Sequence, residues 1–385
     1  QLLRDKAFGP RVVPIVVDES RTFGMEGLFR QIGIYNPKGQ QYTPVDREQV
    51  MYYKEQENGQ ILQEGINEAG GMASWIAAAT SYSTNNRIMM PFYVYYSMFG
   101  FQRFGDLAWA AGDMGARGFL LGGTSGRTTL NGEGLQHEDG HSLVLASTIP
   151  NCVSYDPAFA HEVGIILHHG LRRMVEKQED VFYYVTLLNE NYPMPGLTAG
   201  TEEQILQGMY LCKAGAAGDQ RVQLLGSGSI LRESLEAQKL LATDWGVQAD
   251  VWSCPSFNEL ARDGQDVARW NLLHPLEAQR TSFVGQQLGK RSGPVVASTD
   301  YMKNYAEQIR AFIPDGRSYT VLGTDGFGRS DFRYRLREHF EVNRHYITVA
   351  ALSALADEGK LPKAKVAEAI AKYGIQTDKI NPLYA

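Results

Sequence analysis

An unbroken apolar run, Val12-Val13-Pro14-Ile15-Val16-Val17, ends on Asp18-Glu19-Ser20 and predicts a buried strand with acidic groups at its carboxyl end. Open α/β sheets place their ligands at that end. Further strand-like runs fall at 118–121, 143–146 and 182–187, with helix-like stretches such as 161–176 between them. Strands alternating with helices imply a mostly parallel sheet covered on both faces. Tyr192-Pro193-Met194-Pro195-Gly196-Leu197-Thr198-Ala199-Gly200 then breaks regularity and reads as a linker. A second alternation follows: strands at 222–225, 247–252, 295–298 and 320–323, helices at 230–243 and 301–312, then closing helices near 347–357 and 363–373. The fold class is therefore α/β in two domains, each a mostly parallel sheet flanked by helices: 1–191, a linker over 192–220, and 221–385. The chain carries neither an internal repeat nor a low-complexity segment.

Within the first domain, Gly65-Ile66-Asn67-Glu68-Ala69-Gly70-Gly71-Met72 leads into a helix whose Met72, Trp75, Ile76 and Ala79 form an apolar stripe of period 3.6. Ala69, Gly70 and Gly71 are small enough to let another backbone or a flat ring approach. Glu68 falls in or just before the first turn. The helix N-terminus favours its ionised form and desolvation its neutral one, so a carboxyl poised between them is a candidate acid–base group. The plainer alternative is a glutamate that only answers the helix dipole. Tyr35 to Glu48 is polar, contains Pro37, Gly39 and Pro44, shows no sustained period and is expected to be a long loop, of a length that is usually functional or disordered.

Composition narrows the class. At 385 residues and 43% hydrophobic, the chain can bury two cores, and a net charge of −6 argues against nucleic acid or an anionic membrane as a principal partner. The run at 12–17 is too short to span a bilayer and is bracketed by Arg11 and Asp18. Cys152, Cys212 and Cys254 lack paired spacing and are expected as reduced, structural thiols in a cytoplasmic globular protein.

Three further segments give these features a context: the aromatic run Pro91-Phe92-Tyr93-Val94-Tyr95-Tyr96-Ser97-Met98-Phe99, the glycine-rich Gly122-Gly123-Thr124-Ser125-Gly126, and Asn131-Gly132-Glu133-Gly134-Leu135-Gln136-His137-Glu138-Asp139-Gly140-His141. Together with the collinear stretch from Val16 to Arg30, they resemble the pyrimidine-binding and carboxy-terminal domains of the homodimeric, decarboxylating first component of bacterial pyruvate dehydrogenase complexes, a thiamine-diphosphate enzyme family. The likeness runs from Val12 to the end of the chain. It implies that Glu68 is the glutamate that hydrogen-bonds the cofactor's pyrimidine, Phe99 the stacking aromatic and Tyr96 its pocket partner. It also makes His137 an active-site histidine facing the intermediate, Glu19 an acidic residue beside the same pocket, and Glu133 a residue that fixes cofactor or loop.

The same likeness implies pyruvate as substrate, a homodimer, and reductive acetylation of the lipoyl domain of a dihydrolipoyl acetyltransferase. The loop from Tyr35 would close over the site to exclude water. The family holds the diphosphate and Mg2+ through a Gly-Asp-Gly motif in an amino-terminal domain; here Gly112-Asp113-Met114 has methionine in place of the second glycine. The chain is thus expected to be the carboxy-terminal part of a longer polypeptide and inactive alone.

Other readings compete. His137-Glu138-Asp139-Gly140-His141 fits the zinc-peptidase pattern His-Glu-x-x-His, with Glu162 at a plausible spacing for a third ligand, but that pattern requires a helix and Asp139-Gly140 is a turn dipeptide. Gly226-Ser227-Gly228-Ser229 after a strand invites a nucleotide-binding reading yet lacks the third glycine and any phosphate-loop lysine, and the segment from Gly323 to Ser330 is expected to be a structural or interface turn. A non-catalytic dimerisation or assembly module, and a transketolase-like enzyme of the same domain order, are the remaining alternatives.

Overall fold

The computed structural model describes residues 2–17 and 20–385. The chain forms two compact units, one composed of Gln1–Gly123, Leu145–Val153 and His168–Leu187, the other of Thr124–Val144, Ser154–Leu167 and Leu188–Ala385.

In the first unit, strands β1 (Val12–Val16), β2 (Leu62–Gln63), β3 (Met90–Tyr96), β4 (Phe119–Gly123), β5 (Cys152–Tyr155) and β6 (Phe182–Thr186) form one sheet in the order β2-β1-β3-β4-β6-β5. The pairs β1·β2, β1·β3, β3·β4 and β4·β6 are all parallel. Helix α1 (Glu68–Ala79) begins where the Asn67 side chain accepts the Gly70 N–H at 3.0 Å, a capping bond that satisfies one of the orphan donors of the first turn. Its Met72 and Trp75 are fully buried, each side chain contributing about 1.5–3 kcal/mol by leaving water. The Trp75 indole N–H also donates to the Phe119 carbonyl at 3.1 Å, so the helix is pinned to β4 by a directional bond as well as by packing. Helix α2 (Phe101–Asp113) packs on α1.

Three expectations change. Residues 143–146, expected as a strand, lie in helix α3 (Ser142–Ser147). The Asp139 carboxylate accepts the N–H groups of His141 and Ser142, each at 3.0 Å, and Leu143 and Ala146 are the buried pair, so the short apolar run has a period of three rather than two. The expected linker is irregular at its two ends; between them lie a helix at Glu202–Gln207 and an edge strand, because Ile205, Met209 and Tyr210 are buried. The helix expected over 301–312 is divided into Asn304–Glu307 and a 3-10 turn at Arg310–Phe312. Residues 301 and 302 spend their backbone groups elsewhere, the Tyr301 carbonyl on Thr324 and the Met302 N–H on Gly140. The helical stretch expected at 161–176 is helix α4 (Ala160–Leu171) continued by a π-turn at Arg172–Glu176.

The second unit's sheet comprises β7 (Tyr210–Lys213), β8 (Arg221–Gly226), β9 (Gln248–Ser253), β10 (Val295–Ser298) and β11 (Tyr319–Leu322), ordered β11-β10-β8-β9-β7. Only β7 is antiparallel to its neighbour. Helix α5 (Leu231–Trp245), helix α6 (Phe257–Leu273), helix α7 (Arg344–Asp357) and helix α8 (Lys363–Lys372) complete it. Val222, Leu224, Val251 and Val296 of the strands meet Leu241 of α5 and Leu352 and Leu355 of α7 in one core. Helix α6 was not among the expected elements, although Ser256 followed by Glu259 carries the capping signature: the Ser256 side chain accepts the Glu259 N–H at 3.0 Å.

Candidate active site

Glu68 opens α1 with 7% of its surface exposed, and one turn of chemistry is assembled around it. Its Oε1 accepts from Nη1 of Arg103 at 2.8 Å, and its backbone carbonyl accepts from the Tyr93 hydroxyl at 3.0 Å. The Arg103 guanidinium lies over the Phe99 ring with 4.1 Å from its central carbon to the ring centroid. One flat, N–H-bearing cation therefore touches both the carboxylate and the aromatic face. Tyr96 extends the aromatic wall, its ring centroid 6.4 Å from that of Phe99 and 5.2 Å from that of Phe23. The Tyr93 hydroxyl is pushed up in pKa by burial and by the charges of Glu68 and Glu64, which keeps it a neutral donor.

Glycine spacing explains how Tyr93 gets so close. A Cβ at Gly71 would stand 2.7 Å from the Tyr93 ring, so the small residues after Glu68 admit a flat ring, namely this one. Thus Glu68, Tyr96 and Phe99 converge in the first unit. Arg103 escaped sequence reasoning; the available signal was a cation four residues after the stacking aromatic. Glu19 lies outside the described residues.

His137 and Glu133 belong to the other unit. His137 ends a 3-10 turn, Leu135–His137, with its Nδ1 3.9 Å from Oε2 of the exposed Glu133. The zinc pattern has no helix under it, since His137 closes that turn while His141 precedes α3. Glu162 is committed elsewhere: its carboxylate caps the start of α4 through the N–H groups of Ala158 and Phe159 at 2.6 and 3.0 Å, and accepts the hydroxyls of Tyr210 and Ser253, both at 2.7 Å. Among the described residues no group of three or more His, Cys, Asp or Glu side chains is arranged to hold a metal.

The glycine turn after β8 is filled from within. The Ser227 hydroxyl donates to Oδ2 of the buried Asp156 at 2.8 Å, the Gly228 N–H donates to the Asp156 carbonyl at 3.1 Å, and a Cβ at Gly228 would stand 2.6 Å from that carboxylate. An acidic side chain occupies the place a phosphate would need, which is a physical reason beyond the missing glycine to set the nucleotide reading aside. The long loop beginning at Tyr35 runs between two short parallel strands, Ile34–Tyr35 and Glu55–Gln56, and is tied back by Gln40, whose side chain accepts the Glu55 N–H at 2.7 Å. No helix among the described residues is long and apolar enough to cross a membrane.

The sequence profile of the pyruvate dehydrogenase E1 component middle domain matches residues 1–195, just over half of the chain. The chain belongs to this family. The six site residues named above, Glu19, Glu68, Tyr96, Phe99, Glu133 and His137, fall inside the E1 middle-domain match. A transketolase-like C-terminal domain profile matches residues 208–343. The pyruvate dehydrogenase E1 component of Pseudomonas aeruginosa is 64% identical over 386 positions, covering 100% of this chain and 43% of that protein, and the one from Escherichia coli K12 is 64% identical over 385 positions with the same coverage. The chain therefore spans 43% of the length of these E1 relatives. Among solved structures, the transketolase of Leishmania mexicana superposes with a TM-score of 0.65 at 14% identity over 92% of this chain and 43% of that one. A split-gene transketolase described as an inactive β4 tetramer reaches a TM-score of 0.57 at 15% identity, over 90% of this chain and 92% of that one. At such identities these structures establish the shared fold alone.

Proposed function

We propose that this chain supplies the pyrimidine-binding and carboxy-terminal domains of a thiamine-diphosphate-dependent pyruvate dehydrogenase, with Glu68 as its acid–base group. The observation that carries the reading is the shared contact of Arg103: a planar cation with N–H donors stacks on Phe99 and bonds Glu68, the two contacts an aminopyrimidine ring needs. Those residues fit the group. When bound, thiamine diphosphate supplies an acidic ring carbon and an electron sink for decarboxylation. The chain's own part is to hold and move protons. Glu68, nearly buried at a helix N-terminus, exchanges a proton with a pyrimidine nitrogen through its carboxylate oxygen; Phe99 and Tyr96 orient the ring and keep water from it. His137 delivers a proton when the lipoyl disulfide is opened, and Glu133 orients that imidazole. Glu19 lines the same pocket in this reading, and the loop from Tyr35 closes over it.

Mg2+ and the diphosphate are held by residues beyond those of this chain, so the 385-residue polypeptide alone neither decarboxylates pyruvate nor acetylates a lipoyl domain. The working enzyme is a cytoplasmic homodimer that serves a dihydrolipoyl acetyltransferase. Carbon dioxide release from pyruvate, set against ketol transfer between sugar phosphates, tests the assignment in a polypeptide of the relatives' length. Pyruvate turnover is expected; ketol transfer without it would replace the reading with a transketolase. Magnesium-dependent turnover by the 385-residue chain alone would refute the division of labour. The chain's span of 43% of its relatives supports a second role for the isolated polypeptide, that of an assembly module carrying dimer contacts without turnover.

A further inference from the structure

We infer that Glu138 is the positioning residue for His137, a carboxyl group held inside the second unit that clasps the turn carrying His137 to the loop 324–329. The inference rests on the role proposed above for His137. Glu138 is 0% exposed, and its Oε2 accepts the backbone N–H of Arg329 at 2.7 Å. Its Oε1 has no hydrogen-bond partner among the described residues. Arg127 closes the clasp from the other side: Nη1 donates to the carbonyls of Thr324, at 2.6 Å, and Gly326, while Nε reaches the Glu138 carbonyl at 3.4 Å. The two segments touch through their backbones, since a Cβ at Gly328 would stand 2.4 Å from the Leu135 carbonyl oxygen and 2.9 Å from Cβ of Glu138. Beyond the loop, Arg329 donates to the Ala385 carbonyl and Gly326 abuts the Pro382 carbonyl, which adds residues 382–385 to the same brace.

The glutamate of the His-Glu-x-x-His string thus turns inward, away from the role that string suggests. A buried carboxylate with one unbonded oxygen is costly, so the clasp is closed with Glu138 neutral. Burial raises its pKa to about 8; the Arg329 N–H opposes that, Asp300 adds to it, and the charges of Arg127 and Arg329 oppose it. The unfolded carboxyl ionises in its ordinary range, so the native fold loses stability relative to a neutral isostere as pH rises from there to about 8, and no further above it.

The test compares Glu138→Ala and Glu138→Gln in a polypeptide of the relatives' length. Alanine removes the clasp and is expected to lower kcat by about tenfold or more with the KM for pyruvate little changed, as misplacement of a catalytic group does. Glutamine keeps the acceptor oxygen without charge and is expected to restore kcat at pH 7. Native-like kcat in the alanine variant, or a glutamine variant as impaired as the alanine one, would overturn the inference. If the alanine variant does not fold, the thermal midpoint of the native protein minus that of Glu138→Gln decides: it should fall between about pH 5 and 8, and a flat difference would overturn the clasp. A fully active His137→Ala variant would instead sink the role of His137, while the pH-dependent midpoint difference would still report on Glu138.

Discussion

Two glycine-bearing junctions in this chain follow a parallel strand and lead into a helix, and they differ in what fills them. At the junction before α1, the groups that face one another are Glu68 and Phe99, and the group between them is the guanidinium of Arg103, whose side chain is 46% exposed. At the junction after β8, the filler is Asp156, fully buried and bonded through both side chain and backbone. An ion pair whose cation is half in water is worth little, typically about 1 kcal/mol, whereas removing a fully buried acceptor costs roughly 1–3 kcal/mol. In the proposed function the first junction exchanges its occupant for a ligand; the second is closed by its own chain. Glycine motifs of similar appearance thus separate into a site and a piece of architecture by the burial of one neighbouring side chain.

Substitutions ordered by expected effect sharpen that contrast. Asp156→Ala should be the most costly, about 3 kcal/mol in urea unfolding, since it removes a fully buried acceptor from the Ser227 hydroxyl and empties the space against Gly228, leaving that hydroxyl to pair with Thr299, 2.9 Å away. A change under about 0.5 kcal/mol would mean the turn is not held closed from within. Gly71→Ala should cost about 2 kcal/mol by driving a methyl group into the Tyr93 ring that steadies the Glu68 carbonyl. A neutral effect there would show that the ring moves aside freely. Arg103→Met should shift the same unfolding midpoint least, by less than about 1 kcal/mol, and a loss as large as that of Asp156→Ala would erase the distinction between the two junctions.

Much of this was legible in the chain. Continuous apolar runs located β1, β4, β6, β8, β9, β10 and β11, because strands buried on both faces need no alternation. Glu68 stood out because a carboxyl at a helix start followed by small residues is a local pattern, and the collinear likeness placed Phe99 and Tyr96 beside it. What stayed hidden was set by contacts distant in sequence. The segment at 143–146 became helical because Asp139 caps it, and residues 301–303 left their helix for Gly140, Asp325 and Thr324. Arg103 and Glu138 acquire meaning only through partners on other elements, Glu68 from 35 residues upstream and Arg329 from 191 downstream. The cap of α6, Ser256 with Glu259 three residues on, is legible in the sequence alone.

In the proposed function the Glu68 carboxylate is the group that activates the pyrimidine. The most direct measurement is the rate at which bound thiamine diphosphate exchanges its thiazolium proton for deuterium, compared between the native and Glu68→Ala forms of a polypeptide of the relatives' length. A fall of about 10²–10⁴-fold with the unfolding midpoint little changed is expected for loss of a general acid–base group. Equal exchange rates in the two forms, with cofactor bound in both, would contradict it.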